Sequence, residues 1–301
     1  MDVRRILCPI DFSEPSTHAL EQATQLARWH GARLTVLHVR PTMVPHPDIP
    51  ATGSMAPWLV TELEALRQRV TAACTEAVTA GAHVEAMATA GEPVHEILTC
   101  AGSLPADLIV IGTHGLSGFQ HLVLGSVAEK VLRKAACPVL TVPPRAHTTA
   151  TQFSRLLCAV DFSDCSQNAV TFAASLAQQA GATLSLLHVI EWPWHESTIP
   201  EMTAVPAAQT QAITEYRRYL ETGAKERLDA MAAAALPAGR VATSVTFGKP
   251  YVALLDAARH EGTDLIVLGV RGRAALGLGF FGSTANHMVR SALCPVLTIR
   301  G

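Results

Sequence analysis

Asp107-Leu-Ile-Val-Ile-Gly112-Thr-His-Gly115-Leu-Ser-Gly118-Phe-Gln-His-Leu-Val-Leu-Gly125-Ser126 returns 157 positions later as Asp264-Leu-Ile-Val-Leu-Gly269-Val-Arg-Gly272-Arg-Ala-Ala-Leu-Gly-Leu-Gly-Phe-Phe-Gly282-Ser283. Each version reads as an apolar run of strand length, a turn of the form Gly-x2-Gly-x9-Gly-Ser, and a helix start. At this chain's glycine and hydroxyl-residue frequencies the pattern arises by chance in about one such chain in eighty. Here it stands twice in equivalent places. Other segments repeat with it. Asp11-Phe12-Ser13 returns as Asp161-Phe162-Ser163 and Leu37-His38-Val39 as Leu187-His188-Val189, both at an offset of 150, whereas Cys137-Pro-Val-Leu-Thr141 returns as Cys294-Pro-Val-Leu-Thr298 at 157. The chain is therefore a tandem duplication, with seven residues gained in the second copy between Val189 and Gly248.

Within each copy, short apolar runs alternate with helical periods. In the first they are Arg5 to Ile10, a helix from Ser16 stopped by Gly31, Leu34 to Val39, and a helix from about Leu59 to Ala80. His83 to Ala88, a helix opened by Pro93, Leu108 to Ile111, a helix from Ser126 to about Lys134, and Val139 to Val142 follow. Strands separated by helices need crossovers, and crossovers are right-handed. The expected class is α/β, two tandem doubly wound domains, each a five-stranded parallel sheet with helices on both faces. The expected boundaries are 1–143 and 153–301, with residues 144–152, rich in Pro and Thr, as linker.

Composition narrows the function classes. With 301 residues, 49% of them hydrophobic, the chain can bury two cores. No apolar run approaches the roughly 18 residues of a spanning helix, and no signal-peptide core follows Met1, so a cytoplasmic protein with no membrane contact is expected. Net charge is −2 and aromatics are 5%, which argues against a nucleic-acid surface. The seven cysteines form no Cys-x-x-Cys and no zinc spacing, so they read as small buried hydrophobes in a reducing compartment.

Open α/β sheets bind ligands beyond the carboxyl ends of their strands, where strand order reverses. The first strand ends at Asp11 or Asp161, and the fourth at the glycine-rich loops. Glycines admit the close approach of an anion to main-chain N–H groups, and a helix start adds unpaired N–H groups and partial positive charge. Ser126 and Ser283 are placed both to cap that helix and to donate to a phosphate oxygen. Asp11 and Asp161 have two readings, a ribose-binding carboxylate or a turn residue bonded to Ser13 and Ser163.

Gly-Thr-His-Gly-x2-Gly before Gly-Ser-Val-Ala-Glu-Lys-Val, Cys-Pro-Val-Leu-Thr-Val after it, and the opening Ile-Leu-Cys-Pro-Ile-Asp-Phe-Ser together resemble the universal stress protein family. The resemblance covers both halves and implies the ATP-binding branch. Adenine and ribose would meet Pro9, Asp11 and Val39 in the first half, and Asp161 and Val189 in the second. The phosphates would be held by Gly112, Thr113, His114, Gly115, Gly118, Gly125, Ser126 and Val127, and by Gly269, Arg271, Gly272, Arg273, Gly282, Ser283 and Thr284. The copies differ where Ala159 replaces Pro9 and Ala275 replaces Gly118, while Arg271 and Arg273 add charge to the second loop.

No Gly-x4-Gly-Lys-[Ser/Thr] loop and no kinase motif set accompanies these sites. The expected function is therefore an adenine-nucleotide-binding regulatory protein of the stress response, leaning away from an enzyme. The alternative is a slow ATPase or nucleotide-transferring enzyme. ATP is the expected cofactor, with Mg2+ bound through its phosphates and no metal held by protein groups. The resemblance further implies pairing of domains through the last strands, Val139 to Val142 and Val296 to Arg300. Tandem copies could satisfy that pairing within one chain, with a dimer of tandem chains as the expected assembly. The insertion around Glu191-Trp-Pro-Trp194 has two readings, a surface for an unidentified protein partner or, the favoured one, tryptophans that cover the core beside the extra residues.

Overall fold

Consecutive apolar positions make the strands here, because a parallel sheet is covered on both faces and its strands need no alternation. The computed structural model describes residues 3–42, 57–113, 124–144, 152–191, 207–236, 241–270 and 281–300. Five strands of the first half, β1 (Arg5–Ile10), β2 (Arg33–Pro41), β3 (His83–Gly91), β4 (Leu108–Gly112) and β5 (Val139–Val142), lie in the order β3-β2-β1-β4-β5. The pairs β1–β2, β2–β3, β1–β4 and β4–β5 are all parallel. Leu7, Cys8, Ile109 and Val110 are fully buried at the centre of this sheet.

The helices are α1 (Glu14–His30), α2 (Pro57–Ala73), α3 (Thr75–Thr79), α4 (Pro93–Ser103) and α5 (Ser126–Lys134). Strand order runs one way from β1 to β3 and the other way from β4 to β5, so right-handed crossovers put α1 and α2 on one face and α4 and α5 on the other. Ser13 caps α1 by accepting the Ser16 N–H at 3.4 Å, and Gly31 ends it with φ of 62°, a conformation that costs an L side chain strain. Pro93 opens α4 behind Glu92, whose carboxylate accepts the His95 N–H at 2.7 Å. That bond, with Lys130 and Lys134 nearby, holds the Glu92 carboxyl below the usual carboxylate range.

One expected helix is two. Instead of running unbroken from 59 to 80, the segment breaks at Cys74, whose N–H is shared between the Val70 and Thr71 carbonyls at 3.0 and 3.1 Å. The Thr75 hydroxyl bonds the Ala72 carbonyl at 2.8 Å and competes with the helical ladder there. The break keeps Val70, Cys74 and Ala77 all buried against the sheet.

The second half repeats the plan with β6 (Arg155–Val160), α6 (Asp164–Ala180), β7 (Thr183–Ile190), α7 (Ala207–Ala235), β8 (Val241–Phe247), α8 (Pro250–Glu261), β9 (Leu265–Gly269), α9 (Ser283–Ser291) and β10 (Val296–Ile299). Its strand order is β8-β7-β6-β9-β10. Leu34 pairs with Val84 in the first sheet and Leu184 with Val241 in the second, so the seven-residue excess lies between β7 and β8. The chain divides into two compact units, Asp2–Gln152 together with Ala292–Leu297, and Phe153–Ser291 together with Thr298–Gly301. Residues 145–151 of the expected linker, Trp192 and Trp194 lie outside the described residues. Among the described residues no helix is long and apolar enough to cross a membrane.

The buried thiols carry a testable consequence. Burial pushes Cys74 up from 9.0 to about 11, and pushes Cys8 and Cys158 further the same way; Cys8 also feels Cys74. Above pH 9 the unfolded chain releases these protons while the folded chain keeps them. The unfolded state then binds fewer protons, and stability falls by about 1.4 kcal/mol per pH unit for each such thiol. The contribution is complete below pH 9, and for Cys74 the decline ends near pH 11. Thermal melts from pH 8 to 10.5 are expected to show this decline, flattened in Cys8→Ala and Cys158→Ala. An unchanged slope in both variants contradicts it.

Candidate functional site

Strand register brings the motif residues to one level. Ile10 pairs with His38, so Asp11 is level with Val39; Leu7 pairs with Ile109, and four residues on Asp11 is level with Thr113. In the second half Val160 pairs with His188 and Cys158 with Val267, which sets Asp161 level with Val189 and Val270. This level is the carboxyl end of the sheet, and the reversal of strand order lies between β1 and β4, and between β6 and β9.

Pro9 acquires a physical role there. A parallel bridge at Cys8 draws on the N–H of the next residue, which proline lacks. The β1–β4 ladder accordingly stops at Leu7↔Ile109, whereas with Ala159 in the equivalent place the β6–β9 ladder continues to Cys158↔Val267.

Both readings of the aspartates draw on the same side chain. Asp11 Oδ1 accepts the Ser13 N–H at 3.0 Å and the Ser13 hydroxyl at 2.5 Å, and Asp161 Oδ1 accepts the same pair from Ser163 at the same distances. The turn reading is thus realised in both halves. A carboxylate still has lone pairs for further donors, and the turn orients it. The turn is unusual, since Phe12 and Phe162 have φ of 63° and 62°. A bulky L residue in that region costs about 1–2 kcal/mol.

The residues of the glycine-rich motif divide into two groups. Thr113 bonds the Val142 carbonyl at 3.1 Å and its own carbonyl accepts the Gly125 N–H at 2.8 Å, so the loop is closed at its neck. Val270 does the same, with Ile299 and Gly282 at 2.9 Å each. Gly125 carries the first helical bond, from Glu129, and Gly282 the equivalent one from Asn286. The cap position is therefore glycine, and Ser126 and Ser283 do not cap: each is the exposed first residue of its helix. Glycine brings no side chain of its own to the place where the N–H groups of Ser126, Val127 and Ala128 emerge, and a helix start of that kind favours an anion. Val127 and Thr284 are half-buried, Val39 is buried and Val189 half-buried.

Gly112 and Gly269 serve another contact. A Cβ on Gly112 would lie 2.8 Å from the Pro15 carbonyl oxygen, and one on Gly269 would lie 2.9 Å from the Cys165 Cβ. These glycines let β4 and β9 end against the starts of α1 and α6. His114, Gly115, Gly118, Arg271, Gly272 and Arg273 lie outside the described residues.

Residues absent from the sequence-derived set also stand here. Arg69 lies over the Phe12 ring and Arg227 over Phe162, each 4.0 Å from the ring centroid, with His38 and His188 against the same rings. Repetition of Asp-Phe-Ser and Leu-His-Val marked two members of each trio. The arginines stand 158 apart, off both repeat offsets, which hides them from alignment of the halves.

Among the described residues no three His, Cys, Asp or Glu side chains cluster. Each half therefore brings a turn-anchored carboxylate and the glycine-capped start of a nine-residue helix to the carboxyl end of its sheet. Comparison with known proteins agrees on lineage. The model of the universal stress protein family matches residues 2–143 and again 152–300. A universal stress protein of Thermus aquaticus is 36% identical over 148 residues, 49% of this chain and 99% of its own. One from Mycolicibacterium smegmatis is 28% identical over 308 residues, covering 98% of this chain and 96% of its own. The crystal structure of a universal stress protein from Archaeoglobus fulgidus has the same fold at TM-score 0.70 and 23% identity, over 100% of this chain and 99% of that one. The chain belongs to the universal stress protein family, with one family domain in each half.

Proposed function

We propose that both halves bind an adenine nucleotide, with ATP as the principal ligand, and that occupancy regulates what the protein presents to a partner during stress. The observation that carries this reading is a pairing found in each half. A turn-anchored carboxylate, Asp11 or Asp161, stands level with the neck of a loop that leads into a helix whose cap residue is glycine. The first suits ribose hydroxyls and the second suits phosphate oxygens. A magnesium ion would be held through the phosphates. On this reading the chain is a cytoplasmic regulator that assembles as a homodimer, and any ATP hydrolysis is slow.

The purified full chain, denatured and examined by mass spectrometry, is expected to release AMP, ADP or ATP, and the emptied chain to bind added ATP. Turnover is expected to stay below about one per second, where ordinary enzymes begin. Absence of both released nucleotide and measurable ATP affinity overturns the reading. Faster turnover overturns the regulatory part of it in favour of an ATPase.

A further inference from the structure

The ring stacks beside the aspartates join three elements that are distant in sequence. In the first half Phe12 belongs to the turn that carries Asp11, His38 precedes Val39 on β2, and Arg69 comes from α2. The Arg69 Cζ lies 4.0 Å from the Phe12 centroid, and the His38 ring lies 4.6 Å from it at 40°. His38 Nδ1 donates to the Ile10 carbonyl at 2.9 Å, since a carbonyl only accepts, so the imidazole is itself tied to the end of β1. The second half repeats every part: Arg227 at 4.0 Å, His188 at 4.4 Å and 42°, and Nδ1 donating to Val160 at 2.7 Å.

The copies did not keep this geometry by keeping their lengths. Arg69 follows Val39 by 30 positions and Arg227 follows Val189 by 38, while Arg69 precedes Val84 of β3 by 15 and Arg227 precedes Val241 of β8 by 14. The seven-residue excess is thus eight gained before the arginine and one lost after it. Chain length changed on both sides, yet a guanidinium reached the same ring at the same distance. Space-filling alone would be met by any long apolar side chain.

A phenylalanine in the left-handed region persists only when its surroundings hold it there. Its chain neighbours are Asp11 and Ser13, so relaxation of Phe12 would pull apart the bonds that orient the carboxylate. We propose that Arg69 and Arg227 are positioning residues of the nucleotide sites: each pins the left-handed phenylalanine against the histidine, and so holds Asp11 level with Val39, and Asp161 level with Val189, before the ligand arrives. The proposal rests on the nucleotide reading above and adds to it residues outside every motif.

The test uses the full chain with Arg69→Met and Arg227→Met together, which keep the stem and remove the guanidinium. ATP and adenosine are both expected to bind about tenfold more weakly, the scale of one lost cation–π contact, while inorganic tripolyphosphate binds as before. In a chain that already carries Asp11→Ala and Asp161→Ala, the same arginine changes are expected to alter ATP affinity less than about twofold, because the arginines act through the aspartates. Undiminished ATP and adenosine affinity in the arginine variant overturns the proposal. So does an equal loss in the aspartate-free background, which marks a general structural role, and so does a loss confined to tripolyphosphate, which marks direct phosphate contact. Should methionine prevent folding, Arg69→Lys with Arg227→Lys is read by the same criteria, with an expected loss of about threefold. An unaltered chain that binds no ATP overturns the nucleotide reading itself, whereas an unaltered chain that binds ATP and a variant that binds it equally overturn only the role of the arginines.

Discussion

Gly112→Ala lowers the stability of the first half by about 2–3 kcal/mol, the cost of a methyl group forced into a filled space. The new Cβ would sit 2.8 Å from the Pro15 carbonyl oxygen, 3.0 Å from its carbon and 3.3 Å from the Ser16 nitrogen. These are main-chain atoms and cannot rotate aside. Ser16 is locked as well, its hydroxyl donating to the Ser13 carbonyl at 2.9 Å and its N–H bonding the Ser13 hydroxyl. The displacement therefore passes into the turn that holds Asp11, whose N–H reaches the Ser16 hydroxyl at 3.4 Å. Gly269→Ala meets the Cys165 Cβ at 2.9 Å and the Ser166 nitrogen at 3.1 Å, with the same consequence in the second half. Calorimetry is expected to show the affected transition lowered by about 5–10 °C. Gly102→Ala, in α4 with nothing within 4 Å, is the control and should leave the transition unchanged or raise it. A shift below about 1 °C in Gly112→Ala contradicts the close approach of β4 to α1.

Asp11→Ala combined with Asp161→Ala is expected to weaken ATP binding by about 100-fold. A hydrogen bond to a charged group contributes about 1.5–3 kcal/mol, and on the proposed nucleotide reading the carboxylate accepts at least one such bond from the ribose, so its removal costs on that scale. Part of the loss comes from the turn, because the Ser13 N–H and hydroxyl lose their acceptor together. Asp11→Asn with Asp161→Asn separates the two. An amide oxygen still accepts from Ser13 and Ser163 while the charge is gone, so the turn persists and about a tenfold loss is expected. Isothermal titration of the full chain reads both, with melting temperature as the check on folding. ATP affinity unchanged in the alanine variant contradicts the placement of ribose at this level of the sheet.

How much of this was legible in the sequence follows from the range of each interaction. Helix α1 was readable at its end, where the stop signal of Gly31 is local, whereas its start, expected at Ser16, lies at Glu14 behind the cap made by Ser13. The break at Cys74 was not, since it reconciles the buried positions of one helix with the start of β3, and that is a demand of packing. The glycine motif located the loops, but its glycines do different things. Gly125 stands at a helix start, whereas Gly112 makes room for the main chain of α1 at Pro15, 97 positions earlier. Spacing alone cannot tell a glycine that faces a ligand from one that faces another strand or helix.

The quoted repeat of strand, glycine loop and helix, with the alternation around it, by itself determined the α/β class, the duplication and the places where glycine-rich segments leave the sheet, because periodicity and turn chemistry are properties of neighbouring residues. Tertiary structure alone decided three matters. It put Asp11, Val39 and Thr113 on one level, it made Gly125 rather than Ser126 the cap, and it brought Arg69 onto Phe12 from a helix that no motif marks. Each depends on strand register or on a helix face meeting a turn. Those are distances between elements, set by how the sheet and its helices pack.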